Sequence, residues 1–163
     1  MVTGKTLKDL LCLLADGVGP FGVGGGYAAL LHGSSLVTQD IDVCAPLTPD
    51  HIAKLRLLLA PYHPVHRMTP QKLPFAEFPR DLSGMENLYL DTTLGQIDFL
   101  GFVGGVGDFA SVRKNAVEVA LFGRKCRVIS LDDLIAAKWF MGRPHDLETV
   151  KQLEWIRKKQ PLP

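Results

Sequence analysis

Three aspartates, Asp40, Asp42 and Asp98, are the residues best suited to chemistry, because carboxylate oxygens are the ligands that Mg²⁺ and Mn²⁺ prefer. Asp40 and Asp42 lie in the alternating segment 40–44, which predicts a half-buried strand. Side chains two positions apart in a strand leave the same face, so these two carboxylates are expected side by side. Adjacent carboxylates repel each other unless a cation lies between them. The pair therefore predicts a divalent-metal site.

Asp98 supplies a third acid on a second predicted strand, residues 96–102. Its neighbours Ile97 and Phe99 are expected to face the core, so Asp98 points to the opposite face. If this strand lies beside the first, three carboxylates converge, as two-metal in-line phosphoryl transfer requires. Two alternatives stay open at this point. The acids could form a solvated strand face, or the same trio could hydrolyse a phosphodiester.

A glycine-rich turn, Gly24 to Gly26, lies between a predicted strand (residues 21–24) and a predicted helix (residues 26–32). Glycines at such a junction let backbone N–H groups approach a phosphate closely. Phosphodiester hydrolysis gives no reason for this turn. The combination of turn and acids favours a ligand that contains phosphate groups.

The glycine turn followed, after a short spacer, by Asp40-Ile-Asp42 resembles the signature of the nucleotidyltransferase superfamily. More narrowly, the chain resembles the abortive-infection type of minimal nucleotidyltransferases, which include toxins of toxin–antitoxin pairs. The segments that carry this resemblance are Gly25-Gly26-Tyr-Ala28, His32-Gly33, Thr38, the helix ending in Lys138, and Gly142 to Leu147. The resemblance implies transfer of a nucleotide from an NTP, such as ATP, to a hydroxyl acceptor. That acceptor could be RNA, a protein or a small molecule, and a cognate antitoxin is a possible partner.

The resemblance also implies roles for individual residues. Asp40 and Asp42 would bind both metal ions, Mg²⁺ or Mn²⁺, and Asp98 would bind one ion and activate the acceptor hydroxyl. The implied nucleotide-binding residues are Gly25, Gly26, Thr38, Lys138 and Asp146.

Three positions depart from the family pattern. Leu36 stands where an arginine is usual, Trp139 where a basic residue is common, and Thr149 where an acid is usual. These departures leave the three aspartates intact but leave the nucleotide and the turnover open. The alternative function is a catalytically weak or inactive protein of this fold that acts as a binding or antitoxin-like partner.

Helical periodicity gives Lys138 a second, independent prediction. The helix predicted to open after Ser130 has Leu131 and Leu134 on its buried stripe, and Lys138 falls in the middle of that stripe. An inward lysine must extend its charge to solvent or meet an anion, because an unpaired buried ammonium is costly. We expect it to reach nucleotide phosphates, with Asp146 as its partner in their absence.

The remaining patterns position these residues within one α/β (α+β) domain, residues 1–163, with a mixed sheet and packed helices. Predicted helices cover about residues 6–16, 26–32, 48–60, 130–141 and 146–159, and predicted strands cover 21–24, 40–44, 87–92, 96–102, 117–122 and 125–129. Residues 61–79 hold five prolines and are expected to form a loop or an irregular sheet edge.

Composition excludes several classes of function. With 47% hydrophobic residues and a net charge of +1, the 163-residue chain predicts a globular domain without a general affinity for nucleic acid or membrane. The three cysteines lack paired spacing, which favours a reducing compartment. No secretory pattern is evident, so a cytoplasmic protein is expected.

Overall fold

The computed structural model describes residues 4–17, 19–35 and 40–160. Its strands are β1 (Gly22–Gly24), β2 (Ile41–Cys44), β3 (Val65–His66), β4 (Asn87–Thr92), β5 (Gly95–Leu100), β6 (Phe102–Val103), β7 (Gly107–Asp108), β8 (Val117–Leu121) and β9 (Arg124–Val128). Its helices are α1 (Gly4–Gly17), α2 (Gly25–Leu31), α3 (Pro49–Leu59), α4 (Phe109–Asn115), α5 (Leu131–Met141) and α6 (Pro144–Lys159), with a short 3-10 helix at Ala60–Tyr62. Within the described residues, no helix has the length and apolar character needed to cross a membrane.

Seven of the strands form one mixed sheet in the order β3-β4-β5-β2-β1-β9-β8. The β4–β5, β1–β2 and β8–β9 pairs are antiparallel, whereas β2 runs parallel to β5 and β1 runs parallel to β9. Strands β6 and β7 form a separate two-stranded ribbon. The mixed sheet with packed helices confirms the predicted fold class.

The two central strands are fixed in register by their apolar faces. Ile41 pairs with Ile97 and Val43 pairs with Phe99, and all four side chains are fully buried. A slip of either strand by one residue would turn its two apolar side chains to the opposite face, at a cost of about 2 kcal/mol for each side chain. The same register therefore fixes what lies on the opposite face of these strands.

Helix caps follow the predicted signals. Thr48 begins α3 by accepting a hydrogen bond from His51 N at 3.2 Å, and Ser130 begins α5 by accepting one from Asp133 N at 3.1 Å. Helix α5 ends at Gly142 in the left-handed conformation that favours glycine. The predicted bounds of these helices are confirmed to within one or two residues.

The structure refines one prediction and corrects two others. Residues 61–79 form an irregular edge of the sheet, because they contain the edge strand β3 after the end of the 3-10 helix, and the ring of Phe75 is fully buried there. The strand predicted at 96–102 ends at Leu100, where Gly101 donates to Glu86 O at 2.7 Å. Asp108 begins a helix, α4, that was not predicted, by accepting a hydrogen bond from Ser111 N.

Candidate active site

The parallel pairing of β2 with β5 places Asp42 directly beside Asp98, on the face opposite the core. On either side of this pair, Gly24 of β1 is aligned with Asp42, and Tyr89 of β4 is aligned with Asp98. Neighbouring strands lie about 4.8 Å apart, so these positions form a continuous row across four strands. The condition set by the sequence, that the two acid-bearing strands be neighbours, is met.

Asp42 is costly to keep ionised. Burial, followed by repulsion from Asp98, raises the pKa of Asp42 to about 6, although the charge of Lys138 acts in the opposite direction. Asp40 also acts to raise the pKa of Asp42. A cation placed between these carboxylates would remove the repulsion.

Asp40 lies one residue before β2, so the predicted strand starts one residue too early. Its charge nevertheless acts to raise the pKa of Asp98 as well, which places it in the electrostatic environment of the pair. Among the described residues, no three His, Cys, Asp or Glu side chains are arranged to hold a metal ion together. The convergence of all three aspartates on one ion stays a prediction.

Arg67 holds Asp98, a contact that the sequence did not predict. Arg67 Nη2 donates to Asp98 Oδ2 at 3.0 Å, and Arg67 Nη1 lies 2.8 Å from Asp98 Oδ1. The second contact is an ion pair without hydrogen-bond geometry, so Oδ1 is buried without a hydrogen-bond partner among the described residues. Burial acts to raise the pKa of Asp98 and outweighs the lowering by Arg67.

These donors suit a hard divalent cation. Asp42 and Asp98 offer adjacent carboxylate oxygens, and one of them, Asp98 Oδ1, lacks a hydrogen bond. A guanidinium already stands beside Asp98, which shows that this position favours positive charge. The residues present therefore fit Mg²⁺ or Mn²⁺.

The glycine turn packs against Asp42. Gly25 has a φ of +59°, and a Cβ atom at this position would lie only 2.9 Å from Asp42 Cγ. Gly26 follows it in the first turn of α2. A side chain at position 25 would displace the carboxylate, so glycine is needed here for both conformation and space.

Lys138 points inward, as its helical position predicts. Its side chain is 13% exposed, and Nζ lies 3.4 Å from Oδ1 of Asp146, which is fully buried. Arg143 adds a second cation, with Nε 2.6 Å from Asp146 Oδ2. Burial acts to raise the pKa of Asp146, but Arg143 and Lys138 outweigh it and the pKa is lowered.

Asp146 also has a structural role at the start of α6, where it accepts a hydrogen bond from Arg143 N at 3.2 Å. Two further predicted positions, Thr38 in the nucleotide-binding set and Leu36 in place of the usual arginine, lie outside the described residues.

No protein-family model matches the sequence, and no curated protein sequence matches it. Solved structures do match, and they identify the fold as that of nucleotidyltransferases. One match is the lincosamide antibiotic adenylyltransferase LnuA in its lincomycin-bound form. The match covers 95% of this chain and 98% of the LnuA chain, with a TM-score of 0.63 and 19% sequence identity.

Two other neighbours share the fold. ANT(2")-Ia, in complex with adenylyl-2"-tobramycin, matches 96% of this chain and 96% of its own, with a TM-score of 0.58 and 15% identity. An antigenic nucleotidyltransferase-like protein from Paracoccidioides brasiliensis matches 93% of this chain and 77% of its own, with a TM-score of 0.53 and 13% identity. The chain has the nucleotidyltransferase fold.

Proposed function

We propose that this protein is a metal-dependent nucleotidyltransferase that moves an NMP group from an NTP to a hydroxyl acceptor. The observation that carries the proposal is the alignment of Asp42 with Asp98 in register, with the Gly25 turn packed against Asp42. Carboxylates that repel each other beside a bare backbone turn suit a site for a metal–triphosphate complex.

The three aspartates have distinct roles in this proposal. Asp40 and Asp42 hold the metal ions, and Asp98 holds one ion and accepts the proton of the acceptor hydroxyl. When bound, divalent ions supply charge stabilisation for in-line displacement at the α-phosphorus, with pyrophosphate as the leaving group. Carboxylates that are buried in the absence of metal are suited to this role, because their charge is poorly solvated.

The proposal assigns nucleotide binding to residues from separate parts of the chain. Gly25 and Gly26 approach the triphosphate through their backbone, and Thr38 belongs to the same set by resemblance. Lys138 contacts the phosphates by leaving Asp146, which keeps Arg143 as its partner. Asp146 is therefore a positioning residue for Lys138.

A small hydroxylated molecule is the acceptor that we favour. LnuA and ANT(2")-Ia are solved with lincomycin and with an adenylylated tobramycin, which supports ATP as donor and a small molecule as acceptor. The net charge of +1 gives no general attraction to RNA. A toxin role on RNA or protein, with a cognate antitoxin, is the other class that the sequence resemblance suggests.

One observation favours the alternative, a catalytically weak protein that acts as a binding partner. Arg67 engages both oxygens of Asp98, the residue to which we assign activation of the acceptor. In an inactive protein this ion pair would be permanent and would exclude metal. The two functions therefore differ in whether metal and nucleotide bind together.

Calorimetric titration with a non-hydrolysable ATP analogue, with and without Mn²⁺, tests the proposal. We expect the wild type to bind the analogue only with Mn²⁺, and Asp42→Asn to bind it at least about tenfold more weakly, because a metal ligand is lost. The matched control is Asp132→Asn, which changes an aspartate whose side chain is 76% exposed. Metal-independent binding, or equal binding by Asp42→Asn, would contradict the proposal.

A further inference from the structure

The position of Arg67 beside Asp98 is fixed by the backbone of the sheet and by burial of both side chains. Arg67 follows the last residue of β3, and its backbone N–H donates to Tyr89 O at 2.9 Å. This backbone contact fixes it opposite Tyr89, which is itself aligned with Asp98. Its side chain is 19% exposed and that of Asp98 is 14% exposed. The pair is therefore held within the sheet face that carries the predicted metal ligands.

The guanidinium has other partners besides Asp98. Arg67 Nη1 donates to Leu90 O at 3.3 Å, and the guanidinium carbon lies 5.8 Å from the centroid of the Tyr89 ring. These contacts anchor the side chain along β4 whether or not it touches Asp98. Arg67 can therefore release Asp98 without losing all of its contacts.

A second carboxylate is available to Arg67. Asp91, two residues beyond Tyr89 on β4, has Oδ1 at 4.0 Å from Arg67 Nη1. That oxygen is buried and lacks a hydrogen-bond partner among the described residues. The guanidinium of Arg67 therefore has a second carboxylate that it can contact after only a small movement.

We infer that Arg67 is an internal counter-cation that competes with the divalent metal for Asp98 and transfers to Asp91 when the metal binds. This inference rests on the proposed function, because it assumes that Asp98 is a metal ligand. A guanidinium that engages both oxygens of Asp98 and a divalent cation that uses the same carboxylate repel each other. Metal binding and the shift of Arg67 are therefore linked. Bound metal favours the state with Arg67 on Asp91, and the contact of Arg67 with Asp98 disfavours metal binding.

An arginine is suited to this exchange because it stays protonated at any physiological pH. Proton loss cannot remove the positive charge, so Asp98 becomes available only by displacement of Arg67. The metal-free site thus keeps a neutralised carboxylate, and the cost of displacing Arg67 lowers the apparent metal affinity.

Calorimetric Mn²⁺ titration of Arg67→Gln tests the inference without an acceptor or a nucleotide. We expect Arg67→Gln to bind Mn²⁺ about tenfold more tightly than the wild type, because a competing cation is removed from the site. Arg67→Lys keeps the charge but loses the two-oxygen contact, and it should fall between them. The matched control is Arg124→Gln, which breaks a two-oxygen arginine pair with Asp16 elsewhere on the surface and should leave Mn²⁺ affinity unchanged.

A double-mutant cycle with Asp91 tests where the guanidinium goes. Asp91→Asn removes the receiving carboxylate, so it should weaken Mn²⁺ binding severalfold in the wild-type background. In the Arg67→Gln background the same change should leave the Mn²⁺ affinity almost unchanged, because there is no guanidinium that must move to Asp91. A merely structural role for Asp91 would weaken binding equally in both backgrounds.

The outcomes separate this inference from the proposed function. If the wild type binds Mn²⁺ and Arg67→Gln binds it with the same or a lower affinity, the competition is overturned and the proposed metal site stands. Absence of Mn²⁺ binding in both proteins would overturn both. Tighter binding by Arg67→Gln, with an Asp91 effect that depends on Arg67, is the result that the inference requires.

Discussion

At the scale of single residues, the site combines carboxylates that repel each other with cations that partly compensate them. Asp42 has Asp98 as its neighbour and the charge of Lys138 within range, whereas Asp98 has Arg67 in direct contact. The sheet face that carries Asp42 and Asp98 was predictable from strand periodicity, whereas the pairing of their two strands was only a condition that the structure meets. Arg67 was not predictable, because it lies 31 residues from Asp98 in a proline-rich segment whose pairing with β4 has no local signal.

The raised pKa of Asp42 predicts how metal-free stability depends on pH. Its folded pKa of about 6 exceeds the ordinary aspartate pKa of 3.8, so the folded chain binds the proton more tightly than the unfolded chain. Stability therefore falls as pH rises from below 4 to above 6, by about 3 kcal/mol if the whole shift is expressed. Asparagine at position 42 has no carboxyl group to ionise. Asp42→Asn should therefore be more stable than the wild type at pH 7 and about equally stable at pH 4.

Urea denaturation in EDTA at several pH values measures this difference. Asp132→Asn, which replaces an exposed aspartate and breaks only its surface ion pair with Arg157, should stay within about 1 kcal/mol of the wild type at every pH. If Asp42→Asn were the less stable protein at neutral pH, Asp42 would be a structural residue and not one kept for metal binding.

Lys138→Met keeps the aliphatic stem and removes the charge. We expect nucleotide affinity to fall at least about tenfold, because a phosphate contact is lost. Stability should fall by only about 1 kcal/mol, because Asp146 keeps its contacts with Arg143. Fluorescence titration with a labelled ATP analogue measures affinity, and Lys54→Met, on an exposed position of α3, is the control. An unchanged affinity of Lys138→Met for the ATP analogue would show that Lys138 has only a structural role.

At the scale of elements, the site depends on the junction of β1 with α2 and on the register of β2 with β5. The junction was predicted from its glycines, and the register follows from the alternation of apolar residues around Asp42 and Asp98. Elements with a capping or turn signal, such as α3, α5 and the β4–β5 hairpin, were predicted within one or two residues. The short strands β6 and β7 were missed, and β3 was expected only as a loop or an irregular edge, because two residues carry no periodicity.

Gly25→Ala tests the junction against a matched control. Gly25 and Gly84 both have positive φ, +59° and +71°, so alanine has a similar backbone cost at each. A Cβ at Gly84 meets no atom within 4 Å, whereas one at Gly25 overlaps the Asp42 carboxylate. We expect Gly25→Ala to be about 2 kcal/mol less stable than Gly84→Ala.

Only Gly25→Ala should also lose nucleotide binding, since it alone moves Asp42. Chemical denaturation and calorimetry on the two variants measure both effects. Equal stability and equal nucleotide affinity would show that the turn does not determine the position of Asp42.

At the scale of the whole molecule, the site joins distant parts of the chain. Asp42 and Asp98 lie on the two central parallel strands, Gly25 lies on one side of them, and Lys138 comes from the C-terminal half. The fold class was predictable from the order of the elements. The packing of α5 against α2, which goes with the action of the Lys138 charge on Asp42, was not, because it depends on contacts between distant parts of the chain.

Metal binding should therefore stabilise the molecule as a whole. At a free Mn²⁺ concentration of 100 times Kd, linkage adds about 2.7 kcal/mol to the folded state. For a chain of 163 residues this corresponds to a rise in Tm of about 5–10 °C. Scanning calorimetry should show this rise for the wild type and for Asp132→Asn, and a rise at most about half as large for Asp42→Asn, whose binding is at least about tenfold weaker. An equal rise in all three proteins would indicate metal binding at another site.

The bond that is broken in the NTP tests the central claim most directly. ATP and the other NTPs, each labelled at the α-phosphate, are incubated with Mg²⁺, the protein, and lincomycin, tobramycin or total cellular RNA as acceptor. Our account predicts that pyrophosphate is released and that the α-label appears on one acceptor class with the wild type, and on none with Asp40→Asn or Asp42→Asn. Release of orthophosphate with the label left in NDP, or transfer by Asp42→Asn at the wild-type rate, would contradict it.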